Sequence, residues 1–274
     1  MQGIKAFIPT AQKVQYLQSL LRVGFDTIDF GSFVSPKAIP QMADTAEVLS
    51  QLDLSSTQSK LLAIVANSRG ALDAASHKEI DFLGYPFSIS ENFQMRNTHK
   101  TIAQSIDTLR EILEIARANN KQVVVYISMA FGNPYGDPWN VEIVASWTER
   151  LHTMGVEILS LSDTIGSSTP KSISYLFSKL IPAYPHIEFG AHLHTNPLHW
   201  HSKVEAAYKA GCLRFDGAIQ GFGGCPMAKD ELTGNMPTEK LLSYFTTQKA
   251  FTNLNALSFE SAYNEATKIF SVYH

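Results

Sequence analysis

QVVVYISMAFGNPYGDPWNVEIVASWTERLHTMGVEILSLS, residues 122–162, is the stretch whose reading decides the fold. It opens on a continuous apolar, β-branched run (122–128), crosses a loop rich in Gly and Pro, continues as a helical pattern over about 139–154 and closes on a second apolar run (156–162). Strand-length runs separated by a helix of this length describe a parallel βα unit, and unbroken apolar character describes strands covered on both faces.

The same alternation extends in both directions. Upstream, TAQKVQYLQSLLRVG (10–24) places Val14, Leu17, Leu20 and Leu21 at helical spacing and stops at Gly24. Strand FDTIDF (25–30) follows, then a helix over 41–52, strand LLAIVA (61–66), a short helix near 69–77, strand IDFLG (80–84) and the longest helix, about 98–119. Downstream come a helix over 170–183, strand HIEFGAHLH (186–194), a helix over 200–210, the last strand LRFDGAIQG (213–221) and a helical carboxyl end. These are seven strands, whereas a closed barrel of this kind needs eight. The deficit falls at the amino terminus, where loop-like MQGIKAFIPT feeds directly into the first helix. The expected fold is therefore an α/β protein, a TIM (β/α)8-type barrel lacking its first β-strand. One domain is expected over residues 1–274, with no repeat or linker composition to divide it.

With 274 residues, 45% hydrophobic and 17% charged, the chain can bury one sizeable core. A formal net charge of -3 gives no electrostatic case for nucleic acid or an anionic membrane surface. No apolar run approaches the roughly 18 residues of a spanning helix. Residues 1–20 lack the layout of a signal peptide, and two cysteines, Cys212 and Cys225, make no disulfide framework, so the cytoplasm is the expected compartment.

Chemistry concentrates between Phe189 and Glu239. In FGAHLHTNP, His192 and His194 flank one residue, so on a strand they project to the same side and can converge on one ion. Two imidazoles suit Zn, Mn, Fe, Co or Ni, while Mg needs added oxygen ligands, and a satisfied polar pair is the alternative without an ion. Gly190 before them and Asn196 after them mark a strand ending in a loop, where barrel enzymes place their chemistry. About thirty residues on, GFGGCPMAKDELTGNMPTE (221–239) holds Cys225 in a glycine-rich loop, too flexible for a buried strand.

Four segments, SFVSPKAIPQMADTAEV (32–48), LSDTIGSSTP (161–170), His192-Leu193-His194 and GFGGCPMAKDELTGNMPTE, together closely resemble the 3-hydroxy-3-methylglutaryl-CoA lyase family, over nearly the whole chain. His-x-His is common to the wider superfamily of metal-dependent barrel lyases. The Gly-Gly-Cys-Pro loop is what sets these lyases apart from the related synthases, which carry Glu-Arg before their Gly-Asn. The resemblance implies a divalent cation, Mg or Mn foremost, held by His192, His194 and the side-chain oxygen of Asn235. It implies Cys225 as the catalytic cysteine, Glu239 as a carboxylate needed for activity and Asp29 in place of the family's usual Glu. Asp163 matches an acid near the metal, Lys5 falls where a basic residue would approach the CoA phosphates, and Ser32 and Ser160 fall on substrate-facing strand ends. Simpler roles stand beside these: Asp29 and Asp163 as helix caps or braces, Lys5 as a solvated charge, the serines as partners of loop amides.

The implied reaction is retro-Claisen cleavage of 3-hydroxy-3-methylglutaryl-CoA to acetyl-CoA and acetoacetate, with Asp29 or His192 as base and Cys225 as acid. A related metal-dependent aldolase or Claisen synthase, and a non-catalytic CoA-ester or metal-binding relative, are the alternatives. The pathway served, leucine breakdown or another, stays open. A small-molecule CoA thioester is the expected partner, a homo-oligomer is compatible, and neither nucleic acid nor membrane is expected. Two departures bear on this. The loop between Cys225 and Asn235 is one residue longer than the usual pattern. The family's Arg-Asp-Gly-Leu-Gln motif meets this chain only at its fourth position, where Met1-Gln2 stands for Leu-Gln. The expectation is that translation starts upstream and that the polypeptide as it stands, without the Arg and Asp, is weakly active or inactive, since one lost transition-state charge partner costs about 10²–10³ in rate.

Overall fold

The computed structural model describes every residue except Gly3, Lys5, 225–232, Phe251, Thr252 and His274. Helix α1 (Thr10–Leu21) turns its Tyr16, Leu17 and Leu21 inward and gives way at Gly24, whose φ of +87° suits a residue without a side chain. There follow β1 (Thr27–Ser32), α2 (Thr45–Ser50), β2 (Lys60–Ile64), α3 (Ser68–Ala75), β3 (Ile80–Ser88), α4 (Glu91–Thr98), α5 (Ile102–Ala118) and β4 (Gln122–Ser128). The second half contains α6 (Val141–Thr153), β5 (Ile158–Asp163), α7 (Pro170–Ala183), β6 (Glu188–Leu193), α8 (Trp200–Lys209), β7 (Arg214–Phe215), α9 (Thr238–Thr247) and α10 (Ala256–Tyr273).

The seven strands among the described residues form one parallel sheet in sequence order, as consecutive βα units with short connections require. Side-chain alternation sorts them into two apolar sets. Leu61, Leu83, Val123, Val125, Leu159, Phe189 and Ala191 join the helices in the large outer core, while Leu62, Phe82, Val124 and Ile158 form a separate cluster on the inner face. The sheet curls far enough that Asp29 on β1 and Asp216 just beyond β7 feel each other's charge. Two-layer lining around a curled parallel sheet is the architecture of a TIM-like barrel. Seven strands, with β1 and β7 at the edges, agree with the count expected from the sequence. Helix α10 gathers residues from both edges, Val23 before β1 and Ile219 after β7, into one cluster with its own Ala262, Ala266, Ile269 and Phe270.

Three expectations need correction. The helix over 98–119 starts at Ile102, because Thr101 and Gln104 form a reciprocal capping box; α4, unforeseen, ends three residues earlier at His99, in the left-handed region (φ 55°). At 18 residues α10 exceeds the 17 of α5, so α5 is not the longest helix. The last strand shrinks to Arg214–Phe215, because Ala218 leaves β6 and pairs with Pro237 instead. Among the described residues no helix is long and apolar enough to cross a membrane.

Candidate functional site

Strand β6 carries His192 and leads directly into His194 at the carboxyl end of the sheet, where their rings lie 5.5 Å apart at 49°. The Nδ1 atom of His192 lies 3.0 Å from Asp216 Oδ2, and that of His194 lies 3.0 Å from the Thr233 carbonyl. Neither an ionised carboxylate nor a carbonyl can donate, so each Nδ1 carries the hydrogen. In the neutral ring this leaves Nε2 with its lone pair, the tautomer that metal-binding histidines adopt. Burial and the neighbouring His192 push His194 down to about 3, so its ring is neutral. Burial pulls His192 down too, but the bond to Asp216 and the charges of Asp216, Asp29 and Asp163 outweigh it, and the net direction is up. Tyr126 from β4 stands edge-on against the His192 ring at 5.5 Å.

The segment after the glycine-rich loop returns antiparallel to the end of β6. Thr195 donates to the Gly234 carbonyl, Met236 donates to the Leu193 carbonyl, and Asn235 bridges His194. Asn235 spends its side-chain N–H on the Phe222 carbonyl at 2.9 Å. Among the described residues its Oδ1 takes no hydrogen bond and remains the amide's acceptor.

Sequence reasoning missed Asp216, which joins His192 to Ser160 on the neighbouring strand. In the parallel register Gly190 faces Arg214 and Ala191 faces Phe215, so the next residue, Asp216, falls beside His192. Ser160 on β5, paired with Gly190, donates to the same Asp216 Oδ2 at 3.0 Å. A Cβ on Gly190 would come within 3.0 Å of Arg214 Cδ and 3.3 Å of Ser160 Oγ, so glycine is what lets both reach across β6. Burial pushes Asp216 up, but the His192 bond, the Arg214 charge and the Ser160 hydroxyl prevail and hold it below the usual carboxylate range. The usable signal is alternation: Asp216 follows Arg214 by two residues and so continues the same face just beyond β7.

Other expected residues sort differently. Asp29 faces the lumen from β1, where the surrounding protein pushes its carboxyl up to about 7, opposed by the Met1 amino group, aided by the charge of Asp216 and opposed again by His192. Water still reaches it, which limits the effect of its surroundings. Asp163 is buried and its oxygens are taken: Oδ1 accepts from Ser168 N, Oδ2 from Ser168 Oγ and from Lys203 Nζ at 2.7 Å. Lys203 also donates to the His194 and Gly166 carbonyls, so Asp163 acts behind the strand end as a brace. Ser32 is engaged locally, donating to the Ile64 carbonyl and accepting from Val34 N. Glu239 accepts the Gln220 amide at 3.0 Å, tying the start of α9 to the stem of the glycine-rich loop. Lys5 and Cys225 lie outside the described residues.

Among the described residues no three His, Cys, Asp or Glu side chains form a cluster able to hold a metal by themselves. The donor set is instead two imidazole nitrogens of the right tautomer with an amide oxygen adjoining. It would fit a divalent cation that takes oxygens as its further ligands.

Comparison with known proteins places this geometry in context. The family described as HMGL-like matches residues 1–265. The mitochondrial hydroxymethylglutaryl-CoA lyase of Bos taurus is 33% identical over 244 residues, 88% of this chain and 74% of that protein. The HMG-CoA lyase structure from Brucella melitensis superposes with a TM-score of 0.89 at 30% identity, covering 97% of this chain and 93% of that one. The HMG-CoA lyase of Acinetobacter baumannii, solved with coenzyme A and 3-methylmalate, gives a TM-score of 0.90 at 27% identity, covering 98% and 87%.

Proposed function

Because the chain belongs to the HMGL-like family, we propose that it is a hydroxymethylglutaryl-CoA lyase, cleaving 3-hydroxy-3-methylglutaryl-CoA into acetyl-CoA and acetoacetate. The observation that carries the proposal is the histidine pair with both Nδ1 atoms bonded to acceptors and Asn235 bridged to His194. His192, His194 and Asn235 would hold a divalent cation, Mg or Mn. When bound, that cation acts as a Lewis acid that acidifies and orients the substrate's tertiary hydroxyl.

The chain's own residues account for the remaining steps. Asp29, facing the lumen from β1 with its carboxyl pushed up from the ordinary carboxylate range, is the proposed base that takes the hydroxyl proton. As the O–H electrons become the new ketone, the bond to the thioester-side carbon breaks and its electrons pass to the thioester enolate. Cys225, on the glycine-rich loop, is the proposed acid that protonates that carbon. Asp216, steadied by Ser160 and Arg214, keeps the His192 ring from turning. Lys5, Ser32 and Ser160 are proposed on the CoA-thioester side, while Asp163 keeps the strand end in place through Lys203.

The test is which product appears. The protein is incubated with Mg or Mn and either 3-hydroxy-3-methylglutaryl-CoA or a 4-hydroxy-2-keto acid. Release of acetoacetate from the first without pyruvate from the second is expected, and the selectivity rather than the rate is the readout. Pyruvate release in place of acetoacetate would overturn the lyase assignment in favour of an aldolase.

A further inference from the structure

Helix α10 is the last element of the fold, yet it touches the stem that carries Asn235. Gln220 adopts the left-handed conformation (φ 58°) and is held at both ends: its backbone N–H donates to Glu239, and its side-chain amide donates to Thr267 on α10. Two residues on, the Phe222 ring lies against Phe270 of α10, with centroids 4.6 Å apart at 40°. The backbone between them is what Asn235 grips, its N–H donating to the Gly221 carbonyl at 3.1 Å and its Nδ2 to the Phe222 carbonyl at 2.9 Å. Contact here leaves no slack. A Cβ on Gly221 would come within 2.9 Å of the Asn235 carbonyl oxygen, and one on Gly223 within 2.9 Å of Asn235 Nδ2.

The consequence concerns which end of the amide is presented. A turned-over Asn235 would set its oxygen against the Phe222 carbonyl, two acceptors face to face, so the position of that carbonyl selects the rotamer that keeps Oδ1 free for a cation. We infer that Phe270 and Thr267 are positioning residues for Asn235: α10 sets the place of Phe222 and Gln220, and through them the orientation of the Asn235 amide. This rests on the reading of Asn235 as a cation ligand, and its structural half can be tested without any cation.

The experiment compares Phe270→Ala, Phe270→Leu and Thr267→Val with Ile269→Ala, which removes apolar bulk from the same cluster. Two quantities are read: hydrogen exchange at the backbone amide of Asn235, and the dissociation constant for Mn2+ from the signal of the free ion. Phe270→Ala is expected to lose protection at Asn235 and to bind Mn2+ about 10-fold or more weakly, in the range seen when a partner of a metal ligand is removed. Thr267→Val should move in the same direction by less, and Ile269→Ala should lose stability while keeping both quantities. Asn235→Ala combined with Phe270→Ala should bind no more weakly than Asn235→Ala alone, because both act through one amide. Phe270→Leu carries the test if the alanine variant does not fold. Unchanged protection and unchanged Mn2+ binding in the Phe270 variants overturns the inference, as do equal losses in Ile269→Ala, which would reveal general loosening. If the wild-type protein takes up no Mn2+, the cation reading falls, and exchange at Asn235 alone still decides whether α10 positions it.

Discussion

Asp163 and Asp216 stand at the ends of neighbouring parts of one sheet, and each accepts from a cationic or ring nitrogen at 3.0 Å or less. They differ in what surrounds that bond. Asp163 is buried and meets Lys203, Ser168 N and Ser168 Oγ, partners that consume its lone pairs and end in backbone, so the network closes on itself. Asp216 is partly open and meets a serine hydroxyl and His192, an imidazole whose Nε2 takes no hydrogen bond among the described residues. The same carboxylate closes a network in one place and leaves one open in the other, where the proposed function makes His192 a cation ligand, according to whether its partners have a free valence left.

The sharpest way to break this contrast is Asp163→Ala. It leaves the Lys203 ammonium buried without its counter-charge, and removing one partner of a buried pair costs about 3–5 kcal/mol. A correspondingly early midpoint in urea denaturation is expected, and a midpoint equal to wild type would mean that the pair is not a brace. Asp216→Asn should act on the other quantity. An amide can offer N–H to Nδ1 and so favour the tautomer that puts the hydrogen on Nε2, weakening divalent-cation affinity by about 10–100-fold at little cost in stability. Titration calorimetry with Mn2+ measures it, and undiminished affinity would place Asp216 outside the ligand system. The smallest effect is expected for the double replacement Asp163→Leu with Lys203→Met. Exchanging a whole buried ion pair for apolar residues is often close to neutral. A midpoint much nearer wild type than that of Asp163→Ala would separate the cost of an orphaned charge from any net worth of the pair.

Much of the scaffold was legible because its signals are local. The runs at 122–128 and 170–183 coincide with β4 and α7 to the residue, since apolar periodicity and a proline at the first helical turn act within a few residues. The break between α4 and α5 was equally local and was passed over: Thr101 and Gln104 have capping-box spacing, and the pattern over 98–119 hid it. Ser32 and Asp163 are candidate binding residues from family position alone; that Ser32 donates to the Ile64 carbonyl and that Asp163 accepts from Ser168 and Lys203 depends on contacts only the fold creates.

By itself the sequence determined seven parallel strands and their helices, the shared facing of His192 and His194 and the family to which they point, because alternation and motif spacing are properties of adjacent residues. Tertiary structure decided which side chains each carboxylate meets, that Asp216 bonds His192 and that α10 reaches the stem of Asn235. Those depend on strand register and on helix packing across the two sheet edges, distances between residues far apart in the chain that no local pattern encodes.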